Sequence, residues 1–296
     1  MPFRVLFRSD LLRIHDFVCR RQDPGPTEVF RAEYNSMVFP RRGIFLKEAE
    51  GAKVVADVNH AVFFNVDETF RFSHPCGCGD EVLELALHDS VLRDIARSLD
   101  ARSADGDDRV FAVGAAPTDS TSWMLLRLLR EALNRAPAPD PLEVEELCLR
   151  IAARVLRGGL RGGAPRRRRG RSATERAHAE LVRRTQLTLA AGFDEPWTID
   201  GLARSVASSP FHLSRIFRQR TGLTLHRALT LIRLRAALDR LLADRPGLTE
   251  LALAAGFSSH SHFTSVFRRE YGRTPSALRS RCDVAQLLKT SKALTV

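Results

Sequence analysis

The 296-residue sequence lacks several features that would define other classes of protein. No apolar run reaches the roughly 18–20 residues that a membrane-spanning helix needs. The five cysteines are an odd number, and only two lie close together, which argues against a secreted disulfide framework and favours a reducing cytoplasm. No small-residue cleavage site follows the basic N-terminus, so we expect no signal peptide. Phosphate-binding, dinucleotide and nucleophile-elbow motifs are also missing, so we expect no enzyme.

Acidic residues are scarce in one half of the chain. Residues 166–281 hold 22 Lys and Arg against 9 Asp and Glu, a balance of +13, whereas residues 1–165 hold 22 against 25, a balance of −3. Nearly all of the C-terminal cations are arginines, whose planar guanidinium group suits phosphates and guanine edges. We therefore predict that the C-terminal part binds a polyanion. The expected location of the protein is the cytoplasm, in association with the nucleoid.

A stretch rich in Gly, Pro and Arg divides the chain. We predict a basic flexible linker over 158–173, because Gly and Pro prevent a packed element and the arginines repel one another. Its "RRRR" run suits either a solvated tether or a non-specific phosphate contact. The predicted organisation is an N-terminal domain over 10–157, a basic C-terminal domain over 174–282 and a C-terminal tail over 283–296.

The N-terminal part is rich in short segments that contain Val and Phe. Five such segments between residues 28 and 87 are separated by Gly, Asn, Asp and Pro, which predicts an all-β sandwich or jelly roll. The first nine residues fit no predicted element. Residues 119–157 predict two amphipathic helices, the second with Asp140 as N-cap and Gly158 as its stop. These helices could form a dimer seam or simply cover the barrel.

One cluster of possible metal ligands lies in the N-terminal part. His74, Cys76 and Cys78 are of the types that bind Zn²⁺ or Cu⁺, and His88 or His60 could complete a site. The plainer interpretation is a turn between two strands, because two cysteines one residue apart make a strained pair. We expect no metal and no cofactor. If the turn does bind a metal or respond to thiol oxidation, the protein would be a metal or thiol-redox sensing regulator that uses Cys76 and Cys78. A cupin-type enzyme fused to a DNA-binding domain is a more distant alternative.

A basic amphipathic phrase occurs twice in the C-terminal part. "LSRIFRQRTG" begins at Leu213 and "FTSVFRREYG" begins at Phe263, fifty residues later. Each follows a short Ala-containing helix and a tight turn, which is the helix-turn-helix pattern whose second helix enters the major groove. Seven of eighteen aligned positions are identical: Ser208/Ser258, Ser209/Ser259, His212/His262, Phe217/Phe267, Arg218/Arg268, Gly222/Gly272 and Thr224/Thr274.

The two second helices differ on their exposed leading edges, which predicts that one scaffold reads two sequences. The helix between them, over about 225–243, would span roughly 28 Å at 1.5 Å per residue. It is apolar on more than one face, so we expect it to be buried between both modules. The predicted base-facing residues are Phe211, His212, Ser214 and Arg215 in the first module and His260, Ser261, His262 and Ser265 in the second.

The tandem arrangement resembles the DNA-binding domain of the AraC/XylS family of bacterial transcription regulators. The segments that carry the resemblance lie within about 175–281 and are "LSRIFRQRTG", "RLRAAL", "ELALAAGFSSHSHFTSVFRREYGRTP" and "SALR". The chain departs from the family at Ala228 and Leu229, where a Tyr is frequent. It also departs at the "HSH" of the second module, where Gln or a small polar residue is frequent.

The resemblance implies a function for both halves of the chain. The eight leading-edge residues would face bases, and Arg218 and Arg268 would approach phosphates. Promoter DNA and RNA polymerase would be partners, and a small-molecule effector of unknown identity would bind. A homodimer is possible, and no interaction with a membrane is expected. The N-terminal strand pattern is similar to the cupin-like sensing domains of this family. The sequence thus predicts an effector-responsive transcription regulator with an N-terminal jelly roll and an all-α tandem helix-turn-helix domain.

Overall fold

A computed structural model gives the fold of the chain, and it describes residues 3–77, 79–99, 109–134, 136–161, 173–243 and 246–280. The N-terminal part of this described chain is rich in strands, as the sequence predicts. The strands are β1 (Phe3–Arg8), β2 (Leu12–Cys19), β3 (Phe30–Arg31), β4 (Ser36–Gly43), β5 (Phe45–Ala49), β6 (Ala52–Ala56), β7 (His60–Phe64), β8 (Thr69–Ser73), β9 (Asp80–Leu87) and β10 (Ala115–Pro117).

The strands form two antiparallel sheets. One has six strands in the order β1-β2-β9-β4-β7-β10, and the other has four in the order β3-β8-β5-β6. The expectation that the first nine residues fit no element is wrong, because β1 pairs with β2. The charges that interrupt this segment are tolerated because β1 is an edge strand, where outward-facing polar side chains meet solvent.

Alternation along β2 separates two environments. Leu12, Ile14 and Asp16 are buried on the face that packs against helices, whereas His15 and Phe17 line a cavity between the sheets. Strand side chains alternate between faces with a period of two residues, so the same strand serves both sides. The helices on the outer face are α1 (Asp89–Leu99), α2 (Ser120–Leu133) and α3 (Pro141–Arg161).

Helix α3 starts as predicted and ends later than predicted. The Asp140 side chain accepts a hydrogen bond from the Leu142 backbone N–H at 2.7 Å. The predicted stop at Gly158 is wrong, and the helix enters the predicted linker as far as Arg161. A Cβ atom at Gly158 would lie 3.3 Å from the Pro117 carbonyl oxygen, so the glycine lets the helix approach β10 closely. Residues 162–172 of the predicted linker and the tail over 283–296 lie outside the described residues.

The C-terminal part of the described chain is helical. Its central helix is buried on several faces and packs against helices of both predicted modules, as expected, and also against α2 and β4. Within the described ranges, no helix combines the length and apolarity that crossing a bilayer requires. The helices are α4 (Ala173–Ala191), α5 (Ile199–Ser205), α6 (Pro210–Thr221), α7 (Leu225–Ala243), α8 (Leu248–Ala254), α9 (His260–Tyr271) and α10 (Pro275–Ser280).

Candidate nucleic-acid interface

The first helix-turn-helix module consists of α5 and α6. The Ser209 side chain accepts a hydrogen bond from the His212 backbone N–H at 3.3 Å, which satisfies one of the free donors at the start of α6. Gly222 ends the helix at φ 73°, a left-handed conformation that favours glycine. Leu213, Ile216 and Phe217 form the buried face of α6, as their helical spacing predicts.

The second module repeats this construction in α8 and α9. Ser259 caps α9 by accepting from the His262 backbone N–H at 3.1 Å, and Gly272 ends the helix at φ 70°. The buried face consists of Phe263, Val266 and Phe267, which occupy the positions of the first module's core residues. The shared serines, glycines and core phenylalanine therefore set the helix ends and part of the core packing.

The shared threonines begin the next helix in each copy. Thr224 Oγ1 accepts from the Arg227 backbone N–H at 3.2 Å before α7, and Thr274 Oγ1 accepts from the Ala277 backbone N–H at 3.3 Å before α10. A threonine in this position satisfies a backbone donor that the helix itself leaves unpaired. The repeat thus extends beyond the two recognition helices to the helix that follows each one.

The leading edge of α6 is open to solvent. Phe211 is 78% exposed, Ser214 and Arg215 are exposed, and His212 is half-buried beside the His178 ring of α4, with 5.5 Å between the ring centroids. Desolvation and the charges of His212, Arg220 and Arg215 lower the pKa of His178. The leading edge of α6 therefore combines a large apolar ring, a hydroxyl group and a cationic side chain.

The leading edge of α9 presents a different set of groups. Ser261, His262 and Ser265 are exposed and His260 is half-buried. The two histidines face different partners, because His260 Nε2 lies 3.3 Å from Thr264 Oγ1 and His262 Nδ1 lies 3.2 Å from Ser258 Oγ. Both edges are thus accessible, and their side chains differ in size and hydrogen-bonding capacity.

The exposed surface of α9 also contains residues that the sequence analysis does not predict as DNA contacts. Thr264 and Arg269 line the same open groove as His260, Ser261, Ser265 and Arg268, and Thr274 also lines it. Their signal is the four-residue spacing of a single helix face, which links 260 to 264 and 265 to 269. Arg218 and Arg268, the predicted phosphate contacts, are both exposed on the final turns of their helices.

A buried arginine joins the N-terminal and C-terminal parts. Arg235 of α7 is fully buried, and its guanidinium group donates to the Val58 carbonyl at 2.5 Å, to Asn59 Oδ1 at 2.6 Å and to the Thr118 carbonyl. The guanidinium carbon also lies 5.4 Å from the centre of the Trp123 ring. Burial lowers the pKa of this arginine. A buried cation with carbonyl partners is a strong and geometrically specific contact.

A second contact connects the N-terminal part to α9 itself. Glu270 accepts from Arg227 at 2.6 and 2.8 Å and from the Ser120 hydroxyl. Burial opposes the charge of Glu270, but the hydrogen bonds from Arg227 and Ser120 outweigh it, and the pKa of the carboxyl is lowered. Nearby, Arg127 Nε lies 2.9 Å from Asp239 Oδ1 as an ion pair.

A cavity of about 480 Å³ lies between the two sheets of the N-terminal part. Pockets of this size bind small organic molecules, and an aromatic lining favours an apolar ligand. Polar groups lie at its edges, where Arg13 donates to the Tyr34 hydroxyl at 2.6 Å and His15 Nδ1 lies 3.0 Å from Glu84 Oε2. Six phenylalanines line the cavity: Phe17, Phe30, Phe45, Phe64, Phe70 and Phe72.

The three metal candidates of the sequence do not share one environment. His74 is buried and hydrogen-bonded to Asp80, whereas Cys76 is exposed. Cys78 lies outside the described residues. His88 is hydrogen-bonded to Ser90, and His60 Nδ1 lies 2.6 Å from Asp57 Oδ1, so the described structure brings neither histidine to this turn as the sequence hypothesis required.

Comparisons with known proteins agree with the C-terminal geometry. Residues 202–281 match a family model described as a helix-turn-helix domain. The regulatory protein SoxS of Salmonella typhimurium is 33% identical over 106 residues, which cover 36% of this chain and 98% of SoxS. The HTH-type transcriptional regulator GlxA of Rhizobium meliloti is 40% identical over 89 residues, covering 30% of this chain and 27% of GlxA.

Other relatives are matched over part of their length. The bifunctional transcriptional activator/DNA repair enzyme AdaA of Bacillus subtilis is 26% identical over 100 residues, 34% of this chain and 47% of AdaA. This chain thus spans about a quarter of GlxA and about half of AdaA. Among solved structures, ToxT from Vibrio cholerae is 13% identical, with a TM-score of 0.37 and coverage of 90% of this chain and 97% of that one.

Two capped recognition helices on one tandem scaffold define a helix-turn-helix, DNA-binding transcription regulator. The similarity to SoxS extends over nearly the whole of that relative. The chain belongs to the AraC family of transcription regulators.

Proposed function

We propose that this chain regulates transcription in response to a small-molecule effector, with α6 and α9 reading base pairs in successive major grooves of promoter DNA. The observation that carries the proposal is that two identically capped helices expose different polar edges. Shared serine caps, terminal glycines and one shared core phenylalanine place both helices alike, so the exposed side chains are free to differ in the bases they contact.

The two kinds of DNA contact fall to different residues. In the first module the base-facing residues are Phe211, His212, Ser214 and Arg215. In the second module they are His260, Ser261, His262 and Ser265. Arg218 and Arg268 contact phosphates, so an Arg268→Ala variant weakens binding to all sequences alike and reduces the salt slope by about one. Arg97→Ala is the matched control, since Arg97 is an exposed arginine on α1.

The effector binds in the cavity between the two sheets, which we propose form a cupin-like jelly roll. An aromatic lining and a volume of about 480 Å³ favour a small molecule with a flat or aliphatic apolar body. Arg13 and His15 at the edge of the cavity supply partners for one polar group of that molecule. The effector is thus proposed to be amphipathic, with one end in contact with the phenylalanines.

Strand β7 is one of the strands that connect the cavity to the DNA-binding part. Phe64 at the end of β7 lines the cavity, and the residues just before β7, Val58 and Asn59, hold Arg235 of α7. An effector regulates only if it binds one arrangement of this contact more tightly than another. We propose that movement of β7 transmits effector binding to α7 and, through Glu270, to α9.

The remaining parts of the proposal follow the family. The sensing domain includes β1 and extends through α3, and the DNA-binding domain covers 174–282. The chain acts in the cytoplasm without catalysing a reaction, contacts RNA polymerase and pairs through its N-terminal domain. The exposed Leu142 on α3 is a surface position where a second copy of the chain would pack.

Selection of genomic fragments by the full-length chain tests the proposal. We expect a common sequence with two short recognised segments, and a double variant Arg215→Ala/Ser265→Ala should lose preference for both segments while it retains salt-dependent binding. The Arg97→Ala variant should select the same sequence as the wild type. Recovery of fragments without a common sequence would overturn the assignment of base contacts. So would a double variant that prefers the same sequence as strongly as the wild type does.

A further inference from the structure

Two potential metal ligands lie directly opposite each other at one end of the cavity. Cys19 ends β2, Asp80 begins β9, and the two residues are register partners in the antiparallel ladder. Partners in such a ladder have Cβ atoms about 4.5–5.5 Å apart on the same face of the sheet. That face is the cavity face, because His15, Phe17 and Cys19 alternate along β2 and all line the cavity.

The loop after β8 brings a third ligand to the same point. His74 begins a turn that contains Gly77 and Gly79, both with positive φ. A Cβ atom at Gly79 would lie 2.2 Å from the Cys19 carbonyl oxygen, so only glycine allows the loop to approach the end of β2 this closely. The result is that His74 Nε2 donates to Asp80 Oδ2, while His74 Nδ1 is buried without a hydrogen-bond partner among the described residues.

The three residues form a compact and enclosed donor set. One sulfur, one imidazole nitrogen and one carboxylate oxygen lie within 4.8 Å of one another. The exposed fractions are 7% for Cys19, 3% for His74 and 7% for Asp80. Zinc bonds of about 2.0–2.3 Å place tetrahedral ligand atoms roughly 3–4 Å apart, so small side-chain movements suffice.

We propose that Cys19, His74 and Asp80 bind a divalent transition-metal ion of the Zn²⁺ class. Thiolate and imidazole favour zinc or cobalt over Mg²⁺ and Ca²⁺, which prefer sets of oxygen ligands. The ion fixes the turn after β8 against the end of β2 and closes this end of the cavity.

The site leaves room for a fourth ligand. Zinc sites with three protein ligands keep one open position, and here all three ligands line the phenylalanine-rich cavity. A donor atom of a molecule in that cavity, or water, fills the position. This last step rests on the proposed effector cavity, whereas binding of the ion itself depends neither on an effector nor on DNA.

Metal binding by the full-length chain tests the site directly. The chelator-treated protein is titrated with Zn²⁺ against a chromophoric competitor and with Co²⁺, whose thiolate complexes absorb in the near ultraviolet. We expect one ion per chain, a thiolate band with Co²⁺, no comparable binding of Mg²⁺ and a Zn²⁺-dependent rise in the unfolding temperature. A wild-type chain that binds no Zn²⁺ would overturn the proposal.

Matched variants assign the ligands. Loss of a residue that merely orients a ligand costs roughly 10–100-fold in affinity, so Cys19→Ser and His74→Ala should cost at least as much and remove the Co²⁺ band. Cys148→Ser changes another buried thiol, in α3, and should bind as the wild type does. Asp80→Asn is nearly isosteric and tests the same site if a Cys19 variant does not fold.

Cys76 and Cys78, the metal ligands considered from the sequence, allow a test of the alternative site. A Cys76→Ser/Cys78→Ser variant should retain one Zn²⁺, because neither cysteine belongs to the proposed set. Loss of the ion in this variant with retention in Cys19→Ser would overturn the proposal and assign the metal to the turn. Unchanged DNA binding by the variants of Cys19, His74 and Asp80 that lose the ion would leave the regulator function intact, so the two conclusions are separable.

Discussion

The two helix-turn-helix modules are alike at their ends and different on their surfaces. Ser209 and Ser259 cap the recognition helices, and Gly222 and Gly272 end them. In the last turn, however, the second module has Glu270, which accepts hydrogen bonds from Ser120 of the N-terminal part, where the first has the exposed Arg220. A repeated scaffold can thus give one copy an additional contact without altering its own fold.

The largest expected effect comes from Arg235, a residue of the central helix between the modules that is buried against the N-terminal part. Arg235→Ala leaves the carbonyls of Val58 and Thr118 without their donor, and we expect a loss of about 3–5 kcal/mol in the free energy of unfolding. Denaturant unfolding of the full-length chain measures this loss. Arg240→Ala, on the last turn of the same helix, should cost under about 1 kcal/mol. Equal losses for the two variants would show that burial of Arg235 does not join the parts.

The two recognition helices differ at Arg215, because the equivalent base-facing position of the second module is Ser265. Arg215→Ala should weaken binding to the selected operator by about 1–3 kcal/mol and relax preference at one base position. Ser265→Ala removes a shorter group and should cost less, at a position in the other recognised segment. Binding isotherms on single-base operator variants distinguish the two. A uniform loss across all operators would make Arg215 a phosphate contact instead.

Glu270 tests whether the second module alone is tied to the N-terminal part. Glu270→Gln should cost about 1–2 kcal/mol of unfolding free energy at pH 7, whereas Arg220→Gln should be near neutral. The pKa of Glu270 is lowered, so its contribution is complete above the ordinary carboxyl pKa and is lost as the pH falls through the folded value. The difference between wild type and Glu270→Gln should therefore shrink on acidification. A constant difference down to pH 3 would contradict this coupling.

The helix caps should give equal effects in both modules. Ser209→Ala and Ser259→Ala each remove one side-chain acceptor, and each should cost about 1 kcal/mol in unfolding free energy. Exchange of each serine for aspartate restores the acceptor and should restore most of the stability. Thermal unfolding of the four variants measures this. A loss in one module of more than twice the loss in the other would end the claim that the caps are equivalent.

Local signals account for what the sequence predicted. Capping residues, terminal glycines and helical spacing act within a few positions, so the modules and the course of α7 could be recognised from the chain alone. Arg235 could not, because its partners Val58 and Thr118 lie 177 and 117 positions away and the residue stands in an otherwise apolar helix. Cys19 and Asp80 likewise become neighbours only through the pairing of β2 with β9. Strand β1 was not predicted because charged residues interrupt its apolar pattern. An edge strand tolerates such residues, since their side chains can meet solvent.

Hydroxyl-radical footprinting of the full-length chain on a selected operator tests the central claim most directly. Two recognition helices in successive major grooves should protect two segments whose centres lie about 10–10.5 base pairs apart, on one face of the duplex. Mutation of Arg215 should weaken protection of one segment before the other. A single protected segment, or two segments on opposite faces of the duplex, would contradict the account.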